Sequence, residues 1–409
     1  MKLDRIKYAI MVTLLVSVAT DYHNEKSLYK AYEDAFFIGT ALNRAQILSV
    51  ENSHLADTVR ADRRGYYIAN TIVPDKEGLQ LALEHFNAFT PENVMKWEEI
   101  HPEHGVYNFT TADQFVELAN DHNKFTIAHT LIWHHQTPNW VFEDDDGNSV
   151  SREVLLKRMQ EHIHTVVGRY KGKIDAWDVV NEAFNEDGSY RESRWYQIIG
   201  EDYIAKAFQY AREADSEAHL YYNDYNMENT AKRNGITKAI KNMLNAGIPI
   251  TGIGSQSHYK LTNMPSINDI EKSIEELSLL GIDIMITELD INVLPEIRDD
   301  NGTLNSDTNI YIDGLPKNIE KELTNKYEEL FELYLSQRDI IKRVTFWGIS
   351  DHNSWLNYLP SERVNYPLLF DRQNNPKDAF FLSLNLQKVN YKTNHEPNVT
   401  PIISLFKKN

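Results

Sequence analysis

The sequence predicts an α/β fold, a closed (β/α)8 TIM barrel in a single domain, from three observations. Eight short β-like runs recur through the middle of the 409-residue chain, long helical stretches separate them, and polar residues end the runs. Strands separated by helices pair in parallel, and eight such units close on themselves. An open doubly wound sheet is the structural alternative until motifs are weighed.

From the N-terminus, Lys2, Asp4, Arg5 and Lys7 precede an apolar run from Tyr8 to Val18 that closes on Ser17-Val18-Ala19. A basic start, a short apolar stretch and a small-x-small site are the layout of a secretory signal peptide over residues 1–19. The run falls short of the ~20 apolar residues a spanning helix needs, so no membrane association is expected after its removal. An N-terminal core helix is the competing reading. Residues 20–35 read as a polar connector and 36–389 as the barrel domain. The β-like runs are Phe37 to Ala41, Ala88 to Thr90, Phe125 to His129, Ile174 to Val180, Leu220 to Tyr222, Ile250 to Gly254, Ile282 to Ile286 and Val344 to Phe346. Between them, Leu155, Met159, Ile163, Val166 and Tyr170 fall on one helical face, and Thr111 with Gln114 reads as a capping box. Residues 295–320, with Asp299-Asp300-Asn301-Gly302, read as an enlarged loop after the seventh strand, a solvated loop or one that shapes binding. Residues 390–409 show no strong periodicity and read as a C-terminal tail.

Composition narrows the function. The 42 Lys and Arg face 60 Asp and Glu, a net charge of −18 that repels nucleic acid and anionic membranes. With no cysteine there is no disulfide, no thiolate nucleophile and no Cys-type metal site. Export without cysteine fits a bacterial secreted or periplasmic protein. The 22 Tyr and 7 Trp are a weak hint of sugar stacking, since such residues fill cores more often.

The strand ends carry Asn43, Glu92, Asn93, His129, Asn181, Glu182, Asn223, Asp224, Gln256, His258, Glu288, Asp290 and Trp347. In a (β/α)8 barrel these ends form the floor of the active site. A ring of carboxylates, amides, imidazoles and indoles suits a ligand with many hydroxyls and flat apolar faces, as a sugar polymer has. Glu182 closes the fourth strand and Glu288 the seventh, nearly opposite each other. Glycoside hydrolysis needs one carboxylic acid to protonate the leaving oxygen and a second carboxylate to attack the anomeric carbon or activate water. Taken alone, either glutamate is as well read as a structural ion-pair residue. Delivered together by apolar strands on facing sides, with Asn181 beside one, they point to catalysis.

Seven segments then carry a resemblance. They are Phe89 to Trp97 (FTPENVMKW), His129 to Gln136 (HTLIWHHQ), Trp177 to Glu182 (WDVVNE), Asn223 to Asn226 (NDYN), Gly252 to His258 (GIGSQSH), Thr287 to Asp290 (TELD) and Phe346 to Asp351 (FWGISD). In order and spacing the chain resembles the family 10 glycoside hydrolases, the endo-β-1,4-xylanases, from roughly Phe36 to Leu384. The resemblance implies double displacement with retention on the internal β-1,4 bonds of xylan, with Glu182 as acid/base and Glu288 as nucleophile. It implies that Asn181 holds the sugar 2-hydroxyl and that His258, backed by Asp290, orients Glu288. Glu92, Asn93, Lys96, His129, Trp133, Gln136 and Gln256 would bind sugar on the glycone side, with Trp347 and Trp355 as apolar walls. The implied partners are xylan and xylo-oligosaccharides, with no cofactor. Two departures stand out: Ala128 where glycine is commoner, and His135 where serine often precedes the glutamine.

No His-Glu-x-x-His run exists, and His162 and His164, two apart on a helix, point to different sides, so no metal is expected. Gly252-x-Gly254 lacks a third glycine, and Gly348-x-Ser350 is not completed as a nucleophile elbow. A β-1,4-glucanase and a non-catalytic sugar-binding barrel remain the rival functions.

Overall fold

A computed structural model describes residues 27–49, 73–295, 308–358 and 363–395, with side chains through residue 386. The proposed signal peptide, residues 296–307 of the 295–320 loop and the end of the C-terminal tail lie outside these residues.

Nine parallel strands appear in chain order: β1 Phe37–Leu42, β2 Ala88–Pro91, β3 Phe125–Ile132, β4 Ala176–Asn181, β5 His219–Asp224, β6 Gly252–Ser255, β7 His258–Lys260, β8 Asp283–Asn292 and β9 Ile341–Phe346. Neighbours pair in sequence from β1 to β6, β6 pairs with β8, and β8 with β9. The ring closes where β1 pairs with β9, from Phe37 opposite Arg343 to Thr40 opposite Phe346. Eight strands therefore make the barrel. β7 lies outside that count, as a short extension against Asp290, Ile291 and Asn292 of β8.

The strands read as near-continuous apolar runs because both faces are covered. Ala88, Ile127, Ala176, Tyr221 and Met285 fill the barrel interior as one small cluster. The larger core lies between strands and helices. The helix Arg152–Arg169 is typical: Ser151 caps it by accepting from the Val154 N–H, and Leu155, Met159, Ile163 and Val166 are buried as the periodicity predicts.

Several boundaries differ from expectation. β3 and β8 run past His129 and Glu288, so those residues sit within strands rather than after them. Thr111 does not cap a helix: the helix starts at Thr110 and Thr111 is buried inside its first turn, while the Asn108 side chain accepts from the Thr110 N–H. The connector is folded from Ser27. Leu28 and Tyr32 are fully buried, and the Tyr32 hydroxyl donates to the Ser383 carbonyl at 2.6 Å. The loop after the seventh barrel strand gives way to helix at Lys317, and the last helix, Asp378–His395, continues past residue 389. Among the described residues, no helix is long and apolar enough to cross a membrane.

Candidate active site

At the C-terminal ends of the strands an open cleft of about 470 Å³ is lined by both glutamates. Glu182 follows β4 directly, with φ +57°, a left-handed conformation uncommon for any residue but glycine. Its N–H donates to the Asn223 carbonyl and its own carbonyl accepts from Arg191 Nε, both at 2.9 Å. Glu288 sits inside β8, and its N–H donates to the Gln256 carbonyl at 2.9 Å.

Two side-chain amides tie the carboxylates together. Gln256 Nε2 donates to Glu182 Oε1 at 3.0 Å and to Asn181 Oδ1 at 3.1 Å. Asn223 Nδ2 donates to Glu288 Oε1 at 2.7 Å and to the same Asn181 oxygen at 3.0 Å. Asn223 is itself fixed, since its Oδ1 accepts from Thr287 Oγ1 at 2.7 Å. Each amide spends one N–H on a glutamate and the other on Asn181, so Asn181 is the shared centre of the floor. On the far side of Glu288, His258 Nε2 stands 3.1 Å from Oε2, and His258 Nδ1 stands 3.0 Å from Asp290 Oδ1. Trp355 Nε1 donates to the other Asp290 oxygen at 2.7 Å, which braces the indole against the same carboxylate.

A second cluster lines one side. Lys96 Nζ donates to Asn93 Oδ1 at 2.8 Å and Gln136 Oε1 at 2.9 Å, and lies 4.7 Å over the Trp133 ring. Asn93 Nδ2 donates to Glu92 Oε1 at 3.2 Å. His129 Nδ1 is 2.9 Å from Asp178 Oδ2, and its ring meets Trp347 edge-on at 5.2 Å.

The electrostatics follow from these partners. Burial opposes a charge on His258, but Asp290 and Glu288 outweigh it and push its pKa up to about 10. The imidazolium then donates from both nitrogens. Burial would raise the Glu288 carboxyl. The His258 hydrogen bond, the nearby imidazoles and Asn223 together overcome that and hold it below its ordinary value. Burial lowers the Lys96 ammonium, with Glu92, Glu288 and Glu182 acting against the shift.

Of the residues singled out in the sequence, Glu92, Asn93, Lys96, His129, Trp133, Gln136, Asn181, Glu182, Gln256, His258, Glu288, Trp347 and Trp355 all line the cleft. Asp290 stands behind His258. Sequence reasoning gave no role to Asn223, the bridge to Glu288, although its place at a strand end beside Asp224 was the available signal. His135, Tyr225, Asn226, Lys260 and Tyr358 also line the cleft, and His134 Nε2 lies 3.9 Å from Glu182 Oε2. His162 and His164 point apart, one buried 3.6 Å from the Trp97 ring centre, the other exposed against Glu213 at 3.1 Å. Among the described residues no three His, Asp or Glu side chains are grouped to hold a metal.

A family model described as glycosyl hydrolase family 10 matches residues 27–386. The chain belongs to this family. Similar relatives include endo-1,4-β-xylanase A of Xylanibacter ruminicola, 40% identical over 379 residues, covering 91% of this chain and 95% of that protein. An endo-1,4-β-xylanase of Geobacillus stearothermophilus is 45% identical over 313 residues, covering 75% of this chain and 90% of that one. Among solved structures, a family 10 endoxylanase from a sugarcane soil metagenome superposes with a TM-score of 0.79 at 44% identity, covering 88% of this chain and 99% of that one. An intracellular xylanase of Thermoanaerobacterium saccharolyticum, solved with xylotetraose, gives a TM-score of 0.72 at 35% identity over 87% of this chain and 98% of that one.

Proposed function

We propose that the chain is an endo-β-1,4-xylanase that hydrolyses internal bonds of xylan by double displacement, with retention of configuration. The carrying observation is the shared floor, in which Gln256 and Asn223 each bind Asn181 and one of the two glutamates. Glu288, held ionised by His258, attacks the anomeric carbon while Glu182 protonates the departing glycosidic oxygen. Water, deprotonated by Glu182, then hydrolyses the glycosyl ester and frees Glu288. Asn181 takes the 2-hydroxyl at the cleavage point. Glu92, Asn93, Lys96, His129, Trp133, Gln136 and Gln256 bind the glycone sugars, and Trp347 and Trp355 supply the apolar walls.

Reducing-sugar release should be fast on glucuronoxylan and slight on carboxymethylcellulose and barley β-glucan. Glu288→Ala should lose nearly all turnover while still binding xylo-oligosaccharides. Comparable release from the glucans would move the substrate to β-1,4-glucan, and full activity of Glu288→Ala would remove its role. An NMR time course on xylohexaose should give the β-anomer first. Export belongs to the same proposal and is supported by residues 1–19 alone. N-terminal sequencing of enzyme from cell-free culture fluid should begin after that segment, and enzyme found only inside cells, with the segment intact, would refute it.

A further inference from the structure

The left-handed turn at Glu182 is locked from beneath by a buried charged relay that the reaction itself does not use. Ala183, the next residue, donates its N–H to the Tyr222 hydroxyl at 3.0 Å, and that hydroxyl donates to Asp224 Oδ2. Asp224 Oδ1 accepts from Lys232 Nζ at 2.9 Å and from the Tyr225 N–H at 2.9 Å. Tyr222, Asp224 and Lys232 are all fully buried. The Lys232 ammonium lies 3.5 Å from the centre of the Tyr225 ring, which lines the cleft. Above the relay, the Glu182 N–H and carbonyl and the Ala183 N–H and carbonyl are all bonded, the last to the Arg191 N–H at 2.8 Å.

A buried ion pair is a poor way to stabilise a fold, because desolvating both charges offsets their attraction and apolar packing does as well. Its use here is directional. A phenol that must accept from one backbone N–H and donate to one carboxylate oxygen fixes where residue 183 sits, and so which way the preceding side chain emerges. We infer that Tyr222 and Asp224, anchored by Lys232, are positioning residues that hold Glu182 in its strained backbone conformation and aim its carboxyl at the leaving oxygen. The inference rests on the acid/base assignment of Glu182 made above.

The test compares kcat/KM for two aryl β-xylobiosides. The phenyl glycoside needs an acid to expel its leaving group, and the 2,4-dinitrophenyl glycoside does not. Glu182→Ala should lose orders of magnitude on the phenyl substrate and stay within about tenfold on the dinitrophenyl one. Tyr222→Phe, which removes one oxygen and keeps the ring, should fall about tenfold on the phenyl substrate and stay within about twofold on the other. Asp224→Asn should show the same selectivity. Equal losses on both substrates mean general damage and overturn the positioning role, as do wild-type values on both. An unselective Glu182→Ala overturns the assignment beneath it instead. Should both relay variants fail to fold, hydrogen exchange on the unmodified enzyme decides. The Ala183 amide must exchange as slowly as barrel-strand amides, and exchange at loop rates refutes the lock.

Discussion

His258 carries two protons in the folded chain because each ring nitrogen faces a carboxylate, Asp290 on one side and Glu288 on the other. A histidine whose pKa is raised on folding, here from its ordinary 6.5 to about 10, adds stability that is complete below pH 6.5 and lost as pH rises toward 10. Glu288 works in the opposite sense. Its lowered pKa adds stability above the ordinary carboxylate range and loses it as pH falls through the folded value. His258→Gln should therefore flatten the decline in urea midpoint between pH 6.5 and 10. The same variant should move the acidic limb of kcat/KM to higher pH, since Glu288 loses the cation that keeps it ionised. An unchanged limb would mean that His258 does not tune Glu288. Much of this site was legible in the sequence because carboxylate, amide and imidazole stand together at strand ends, where core packing does not demand them. Arg343 was not legible. It enters the barrel interior from β9, 98% buried and 5.9 Å from the Tyr221 ring centre, where the pattern of a parallel strand leads one to expect an aliphatic residue.

At the scale of elements, a stack of rings joins the segment before β3 to the helix Arg152–Arg169. His162 stacks on Trp97, His101 stacks on Tyr107 at 3.8 Å, and the two imidazoles face each other, Nδ1 to Nδ1, at 3.3 Å. The Gly105 N–H donates to His101 Nε2, which puts the His101 proton on Nδ1 and makes the His162 nitrogen its acceptor. A second proton would set two donors against each other. Burial, with His104 nearby, holds His101 down to about 4, and burial with His101 beside it holds His162 well below its ordinary value. The sign is that of a lowered histidine: stability is full above pH 6.5 and drains as pH falls toward 4, because the unfolded chain takes up the protons first. His162→Phe keeps the stack and removes one titrating ring, so its unfolding midpoint should depend less on pH across that window; an unaltered dependence would place the acid sensitivity elsewhere. The strands themselves were legible because two buried faces leave unbroken apolar runs. Their ends were not. β8 continues through Glu288, Asp290 and Asn292 because β7, His258 and Trp355 supply partners from distant parts of the chain.

For the whole molecule, the segment at Ser27 to Tyr32 acts as a clasp across the ends of the described chain. Tyr32 packs its ring 5.3 Å from both Phe36 and Phe331 and bonds to Ser383. Tyr32→Ala should cost about 3–5 kcal/mol in urea-unfolding free energy, as for other buried aromatic truncations. A loss under about 1 kcal/mol would show that the clasp is incidental. The clasp was not legible because the stretch as a whole reads as polar, and what buries Leu28 and Tyr32 arrives from the far end of the domain. The same separation governs the closing pair of strands. Phe37 meets Arg343 roughly three hundred residues later in the chain. At ~5–20 residues per second of synthesis, the first strand waits ~15–60 s for its partner. Throughout that interval the outer edge of β1 is unpaired backbone. The last barrel strand to leave the ribosome thus sets the earliest moment at which the enzyme can exist, and whatever shields β1 until then decides how much of it survives.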